Sequence, residues 1–156
     1  MTTAEEIYRR FRALPGSEQI ASEYAIHWLM ETVMAWEPES VLEVGSGIGT
    51  LTFAAFSATR RPLDYGFVEE NQFCLWAFQR NLPWAWYQML HRVGEANCRL
   101  PGPVDLVILD GDTERAACDW QKAKPRQVVF VEGNRRDQRA ELEVEAKVAG
   151  RRLARL

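Results

Sequence analysis

The stretch that most limits what this chain can fold into is Val41-Leu42-Glu43-Val44-Gly45-Ser46-Gly47-Ile48-Gly49-Thr50-Leu51. A short β-branched run, unbroken by a polar residue until Glu43, predicts a buried parallel strand. The glycines that follow permit a tight turn in which backbone can press against a ligand. Leu51 to Thr59 then predicts a helix whose N-terminus points back at that turn. Strand, turn and helix make the first half of a nucleotide-binding βαβ unit.

The spacing separates one class of nucleotide from another. A dinucleotide fingerprint, G-x-G-x-x-G, needs its third glycine for close helix-strand packing. Here Thr50 holds that position and the third glycine falls one residue early, at Gly49, which disfavours a nicotinamide-dependent oxidoreductase. What remains is Glu43-x-Gly45-x-Gly47-x-Gly49, with an acid at the strand end. A pyrophosphate would be repelled there and a cation attracted. The pattern, with Ser46 inside it, resembles motif I of the class I S-adenosylmethionine-dependent methyltransferases, whose cofactor carries a sulfonium and an ammonium and no phosphate.

At 156 residues the chain is expected to form a single domain, 1–156, with N-terminal helices over 1–36 and a Rossmann-like core over 39–156. Its composition, 47% hydrophobic and 26% charged, is that of an ordinary globular protein. The net charge of -3 points to no polyanionic partner and away from nucleic acid. The absence of a membrane-length apolar run or a signal-like N-terminus leads to the expectation of a cytoplasmic protein that does not engage a membrane. Cys74, Cys98 and Cys118 have neither the count nor the spacing of a disulfide framework or a zinc site and are expected to be reduced and mostly buried. With His27 and His91 the only histidines, a histidine-rich metal centre is excluded.

Ahead of the glycine turn, Ile7, Phe11 and Leu14 at helical spacing predict an amphipathic helix over Ala4 to Leu14, ended by Pro15-Gly16. Ser17 is expected to cap a second helix reaching about Ala35. The turn between them, with Glu18 and Gln19, either closes the core or borders the cofactor, as the helices preceding motif I do in small O-methyltransferases. After the motif I helix, Leu63 to Val68 predicts the second strand, ending in Glu69-Glu70-Asn71. The acid that pairs with ribose hydroxyls in such a unit falls about 20 residues past the glycines, where Glu69 stands. Glu70 is the second choice and Asn71 a helix cap for Gln72 to Leu82. The aromatic cluster Pro83-Trp84-Ala85-Trp86-Tyr87 is expected to pack helix on sheet. Asn81-Leu82-Pro83-Trp84 precedes the third strand, so it is not the Asn-Pro-Pro-Tyr motif of amino-group DNA methyltransferases.

A third strand within Gln88 to Val93 leads into Gly94-Glu95-Ala96, where the resemblance implies that Glu95 and Ala96 meet the adenine. Val104 to Leu109 predicts the clearest strand, ending in Asp110-Gly111-Asp112. Acids at a strand end beside a topological switch point are the best catalytic candidates, namely Asp110 and Asp112, with Asp110 also facing the cofactor. Gln127 to Val131 predicts the next strand, reached after a helix over Thr113 to Lys124 and ending in Glu132-Gly133-Asn134. The small O-methyltransferases that Asp110 resembles include a branch that holds Mg²⁺ with this acid and an Asp-Asn pair on the next strand. Glu132 stands in for that Asp as a catalytic candidate, and Gly133 displaces Asn134, so a divalent cation on Asp110, Glu132 and Asn134 is left open. A final helix is expected from Arg135 to Ala149, and a sixth strand within Arg151 to Leu156.

The resemblance, from about Ser17 onward, implies an α/β Rossmann-like three-layer αβα sandwich with a mostly parallel, twisted sheet. The family usually adds a last antiparallel strand, for which no residues remain here, so either the fold is minimal, a partner covers the edge or the chain is trimmed. The edge so exposed offers a surface for homo-oligomerisation. The implied activity is methyl transfer from S-adenosylmethionine to a small-molecule acceptor, with a hydroxyl first in view. The alternatives are a degenerate methyltransferase-like binding module and, less favoured, the oxidoreductase.

Overall fold

The computed structural model describes residues 2–93, 104–110, 128–131 and 152–154, the last two ranges as strand backbone only. Helix α1 (Ala4–Arg12) starts on a capping box in which Thr3 Oγ1 accepts from the Glu6 N–H and Glu6 Oε2 accepts from that of Thr3. Ile7 and Phe11 form its buried stripe.

The second helix begins later than its sequence suggests. Ser17 does not cap it: the Ser17 hydroxyl donates to the Arg12 carbonyl at 3.0 Å, and the Arg12 guanidinium donates to the Ser17 carbonyl at 2.9 Å. These bonds fold Ser17–Gln19 into a single 3-10 turn tied to the end of α1. Capping passes to Ser22, whose hydroxyl accepts from the Ala25 N–H at 3.1 Å and opens α2 (Glu23–Trp36). Glu37 ends α2 in the left-handed region at φ 44, since Pro38 behind it disfavours another helical residue.

The sheet unit follows. Strand β1 (Ser40–Val44) leads through the glycine turn to α3 (Thr50–Ala58), then β2 (Asp64–Val68), α4 (Gln72–Asn81) and a single helical turn, α5 (Trp84–Tyr87). The remaining described elements are β3 (Leu90–Arg92), β4 (Leu106–Leu109), β5 (Val128–Val131) and β6 (Arg152–Ala154). All pairings are parallel, in the order β3-β2-β1-β4-β5-β6. The helices expected over 113–124 and 135–149 lie outside the described residues. Among the described residues no helix is long and apolar enough to cross a membrane.

Pleating sends alternate strand residues to opposite faces. Val41, Tyr65, Phe67, Leu106 and Ile108 share one core with Ile7 and Phe11 of α1, Leu29 of α2, Leu51 of α3 and Phe78 of α4. Leu42, Val44, Val107 and Leu109 are buried on the other face, so the sheet is covered on both sides, as a three-layer αβα architecture requires. Each fully enclosed side chain of this kind contributes about 1.5–3 kcal/mol relative to exposure. The aromatic segment divides: Trp86 stacks on Phe56 with centroids 5.5 Å apart and leans on Phe53 at 5.1 Å, whereas Trp84 is exposed and stacks only on Tyr87.

Candidate functional site: a carboxylate-rimmed cleft at the switch point

Strand order reverses between β1 and β4, because β1 continues to β2 and β3 while β4 continues to β5 and β6. Open parallel sheets bind ligands outside the carboxyl ends of the strands at such a point. A cleft of about 940 Å³ lies there, walled by the ends of β1, β2 and β4, the start of α4 and the turn before α2.

The glycine turn forms its floor. The Gly45 and Ser46 N–H groups donate to the Val68 carbonyl at 2.9 and 3.3 Å, fixing the turn to β2. Gly45, Gly47 and Gly49 have φ of 84, 53 and 95. At Gly49 the left-handed backbone opens α3 without a side-chain cap, and a Cβ would stand 3.1 Å from the Phe78 ring. At Gly47 a Cβ would meet nothing within 4 Å, so the turn presents bare backbone to open space. Ser46 and Thr50 also line the cleft at 4% and 5% exposure, and their hydroxyls have no partner among the described residues.

Glu69, one residue past β2, is held over this floor. Its Oε2 accepts from the Gly47 N–H at 2.8 Å, and its Oε1 accepts from the Glu70 and Asn71 N–H groups, each at 2.8 Å. Backbone donors to an ionised carboxylate make short, strong bonds, and two oxygens offer about four acceptor sites, so capacity remains for a ligand hydroxyl. Asn71 caps α4 as its sequence suggests, accepting from the Phe73 and Cys74 N–H groups at 2.9 and 3.3 Å. Glu70 lines the cleft beside it.

Glu43 lines the cleft from beneath and is 1% exposed. Its Oε2 accepts from the hydroxyls of Thr52 and Tyr65, the latter at 2.6 Å. Burial pushes its carboxyl up to about 7 against the pull of these two donors, and the charge of Glu69 adds to the rise. Asp110 follows β4 and also lines the cleft, its N–H donating to the Val44 carbonyl at 2.9 Å.

The turn before α2 contributes Gly16, Glu18 and Gln19, whose position the sequence left open between closing the core and bordering the cofactor, and Ile20, which the sequence did not single out. Phe73 and Cys74 were missed as well; they enter because Asn71 starts α4 at the cleft wall. Cys74 is half-buried rather than buried, and burial, then Glu69, raises its thiol. A Cβ on Gly16 would stand 2.5 Å from the Phe73 ring, which is why the N-terminal turn approaches α4 so closely. Glu95, Ala96, Asp112, Glu132 and Asn134 lie outside the described residues. Asp110 alone of the candidate metal ligands is described, and among the described residues no group of three His, Cys, Asp or Glu side chains could hold a metal ion.

The described lining carries Glu18, Glu43, Glu69, Glu70 and Asp110 and no Lys, Arg or His. Such a cleft focuses negative potential and suits a cation. A bare glycine turn, two buried hydroxyls with bonds still to make and a fixed carboxylate fit the zwitterionic tail and ribose of S-adenosylmethionine.

No protein-family profile matches the chain, and no curated protein matches it in sequence. Solved structures do. A Podospora anserina methyltransferase, PaMTH1, solved with S-adenosylhomocysteine bound, superposes with a TM-score of 0.64 at 18% identity over 79% of this chain and 57% of its own. A Bacillus cereus O-methyltransferase in complex with S-adenosylhomocysteine gives 0.61 at 14% identity, covering 80% and 61%. TomG of Streptomyces achromogenes, an O-methyltransferase involved in tomaymycin synthesis and solved with S-adenosylmethionine, gives 0.61 at 19% identity, covering 82% and 61%. The chain thus has the class I S-adenosylmethionine-dependent methyltransferase fold, of the O-methyltransferase-like kind. It spans 57 to 61% of the length of these three proteins.

Proposed function

We propose that this protein binds S-adenosylmethionine in the switch-point cleft and transfers its methyl group to a small-molecule acceptor, first in view a hydroxyl. The observation that carries the reading is Glu69, fixed by three backbone N–H groups over the glycine turn. An acid so placed has about one acceptor site left, on Oε2, and a ribose hydroxyl would fill it. In this reading Gly45, Gly47 and Gly49 let backbone approach the methionine part, Ser46 donates to it, and Glu43 supports the ammonium side. Glu70 lies beside the ribose, and Glu95 and Ala96 meet the adenine.

The cofactor supplies an electrophilic methyl on a sulfonium. The chain's work is to hold donor and acceptor in line and to exclude water, since positioning supplies much of the barrier reduction in such displacements. A hydroxyl acceptor must also lose its proton. Asp110, at the end of β4, is the base in this reading, taking that proton on its carboxylate, with Asp112 and Glu132 as further candidates for the role. If a divalent cation takes part, Asp110, Glu132 and Asn134 would hold it and it would lower the acceptor's pKa. The whole chain is read as one domain, and the cytoplasm as its setting.

Calorimetric titration with S-adenosylmethionine tests the cofactor, with an expected dissociation constant in the micromolar range. Release of S-adenosylhomocysteine in the presence of hydroxylated small molecules then tests turnover. No binding would end the reading; binding without turnover on any acceptor would leave a cofactor-holding module instead.

A further inference from the structure

We propose that Glu43, with Thr52 and Tyr65, holds a proton beneath the glycine turn of the empty cleft and releases it when the cationic end of a ligand enters, so that binding and deprotonation are one event. The inference rests on the reading of the cleft as a site for S-adenosylmethionine and goes beyond it.

The geometry sets ionisation of Glu43 near balance. Against it stands burial: the side chain is 1% exposed, and a carboxylate removed from water without a countercharge is costly. No described cation faces it. Helix α3 contributes Thr52, β2 contributes Tyr65 with Glu69 past its end, and β4 sets apolar Ile108 in register with it and Asp110 past its own end. The charge of Glu69 opposes a further negative one. For ionisation stand two hydroxyls, both donating to Oε2, which solvate the anion in advance. Among the described residues nothing bonds to Oε1, which is the oxygen that carries the proton.

A carboxyl so balanced needs only a nearby charge to tip it. An opposite charge within about 4–6 Å lowers an acid's pKa by roughly 1–3 units. Glu43 also lines the cleft, so an ammonium or sulfonium above the glycine turn acts on it through protein rather than through bulk water. Entry of the cation therefore expels the proton. The same logic makes the ligand bind more weakly where the proton is harder to remove. Because Glu43 titrates near neutrality in the empty protein, at about 7, the effect falls within an accessible pH range.

The test is calorimetric titration of the full chain with S-adenosylmethionine at several pH values from 6 to 8. Each titration is run in two buffers of unlike ionisation heat, which reads the number of protons released. Wild type is expected to release roughly half a proton per site near neutrality, rising toward one at pH 6, with affinity falling by up to about tenfold per pH unit on the acid side. Glu43→Gln removes the Glu43 component of both. The ligand's own amino group titrates alike in the two proteins and cancels in the difference. Tyr65→Phe keeps the ring and removes one donor to Oε2, so it moves the affinity midpoint to higher pH, and it carries the test if Glu43→Gln does not fold.

Equal proton counts in wild type and Glu43→Gln, or an unmoved midpoint in Tyr65→Phe, would overturn the proposal while leaving the cofactor assignment standing. Failure of wild type to bind at any pH would overturn both.

Discussion

The Gly47 N–H donates to Glu69 Oε2 across 2.8 Å, closing the turn after β1 onto the tip of β2. With the Glu70 and Asn71 N–H groups on Oε1, the carboxylate is fixed before any ligand arrives. A group already in place loses little conformational entropy on binding. Glu69→Ala should therefore weaken S-adenosylmethionine binding by about 1.5–3 kcal/mol, the usual worth of a hydrogen bond to a charged group, or roughly ten- to a hundredfold. Calorimetry reads it directly, and unchanged affinity would remove the ribose assignment.

Two glycines of one turn should fail differently. Gly49→Ala places a Cβ 3.1 Å from the Phe78 ring at φ 95, so it should lower stability by about 1–3 kcal/mol, seen as a lower thermal midpoint. Gly47→Ala meets no neighbour at φ 53 and should cost only about 1–2 kcal/mol in folding. Its methyl would occupy space the ligand needs, so the larger loss should appear in cofactor affinity.

Glu43 makes stability depend on pH with a defined sign. Its carboxyl is raised from 4.5 to about 7 in the folded protein, so between those values the native state holds a proton that the unfolded chain has lost. The stabilisation associated with that proton is complete below the unfolded value and is lost as pH rises through the folded one. The unfolding free energy of the unliganded protein should accordingly carry a downward component from pH 4.5 to 7, of up to roughly 3 kcal/mol in all, read as a falling melting temperature. Glu43→Gln should flatten this component and melt higher than wild type at pH 8, a gap that closes toward pH 5.

Asn71→Ala supplies a contrast to the Glu69 variant. Its side chain accepts from two N–H groups of α4's first turn, and loss of such a cap costs about 1 kcal/mol. Urea titration should register the loss of stability, with cofactor affinity changing much less than in Glu69→Ala.

What was legible in the sequence was local. The glycine turn, the strand before it and Asn71 as a cap follow from residues within a few positions of one another, and Glu69 as the tip acid from its place at the end of the next strand, about 20 residues past the glycines. The start of α2 was misread because Ser17 and Ser22 both offer an N-cap hydroxyl, and only Arg12, bonding back to the Ser17 carbonyl, decides between them. The partners of Glu43 were not legible at all. Tyr65 reaches it through the pairing of Val41 with Tyr65 between parallel strands, and Thr52 through the packing of α3 on the sheet. Phe73 and Cys74 read as an ordinary helix face until α4's first turn is set against the cleft.

No described strand pairs with its partner through a hairpin, and β1 pairs with β4, Val41 to Val44 in register with Leu106 to Leu109, across a sequence separation of about 65 positions. Pairings of that range must meet the entropy of closing a long loop before they stabilise anything. A chain emerging from the ribosome with β1 to β3 already out has the glycine turn and Glu69, yet lacks the wall that carries Asp110. The pocket is therefore complete only once β4 has paired with β1, and until then the flank of β1 that receives β4 is an unpaired strand edge.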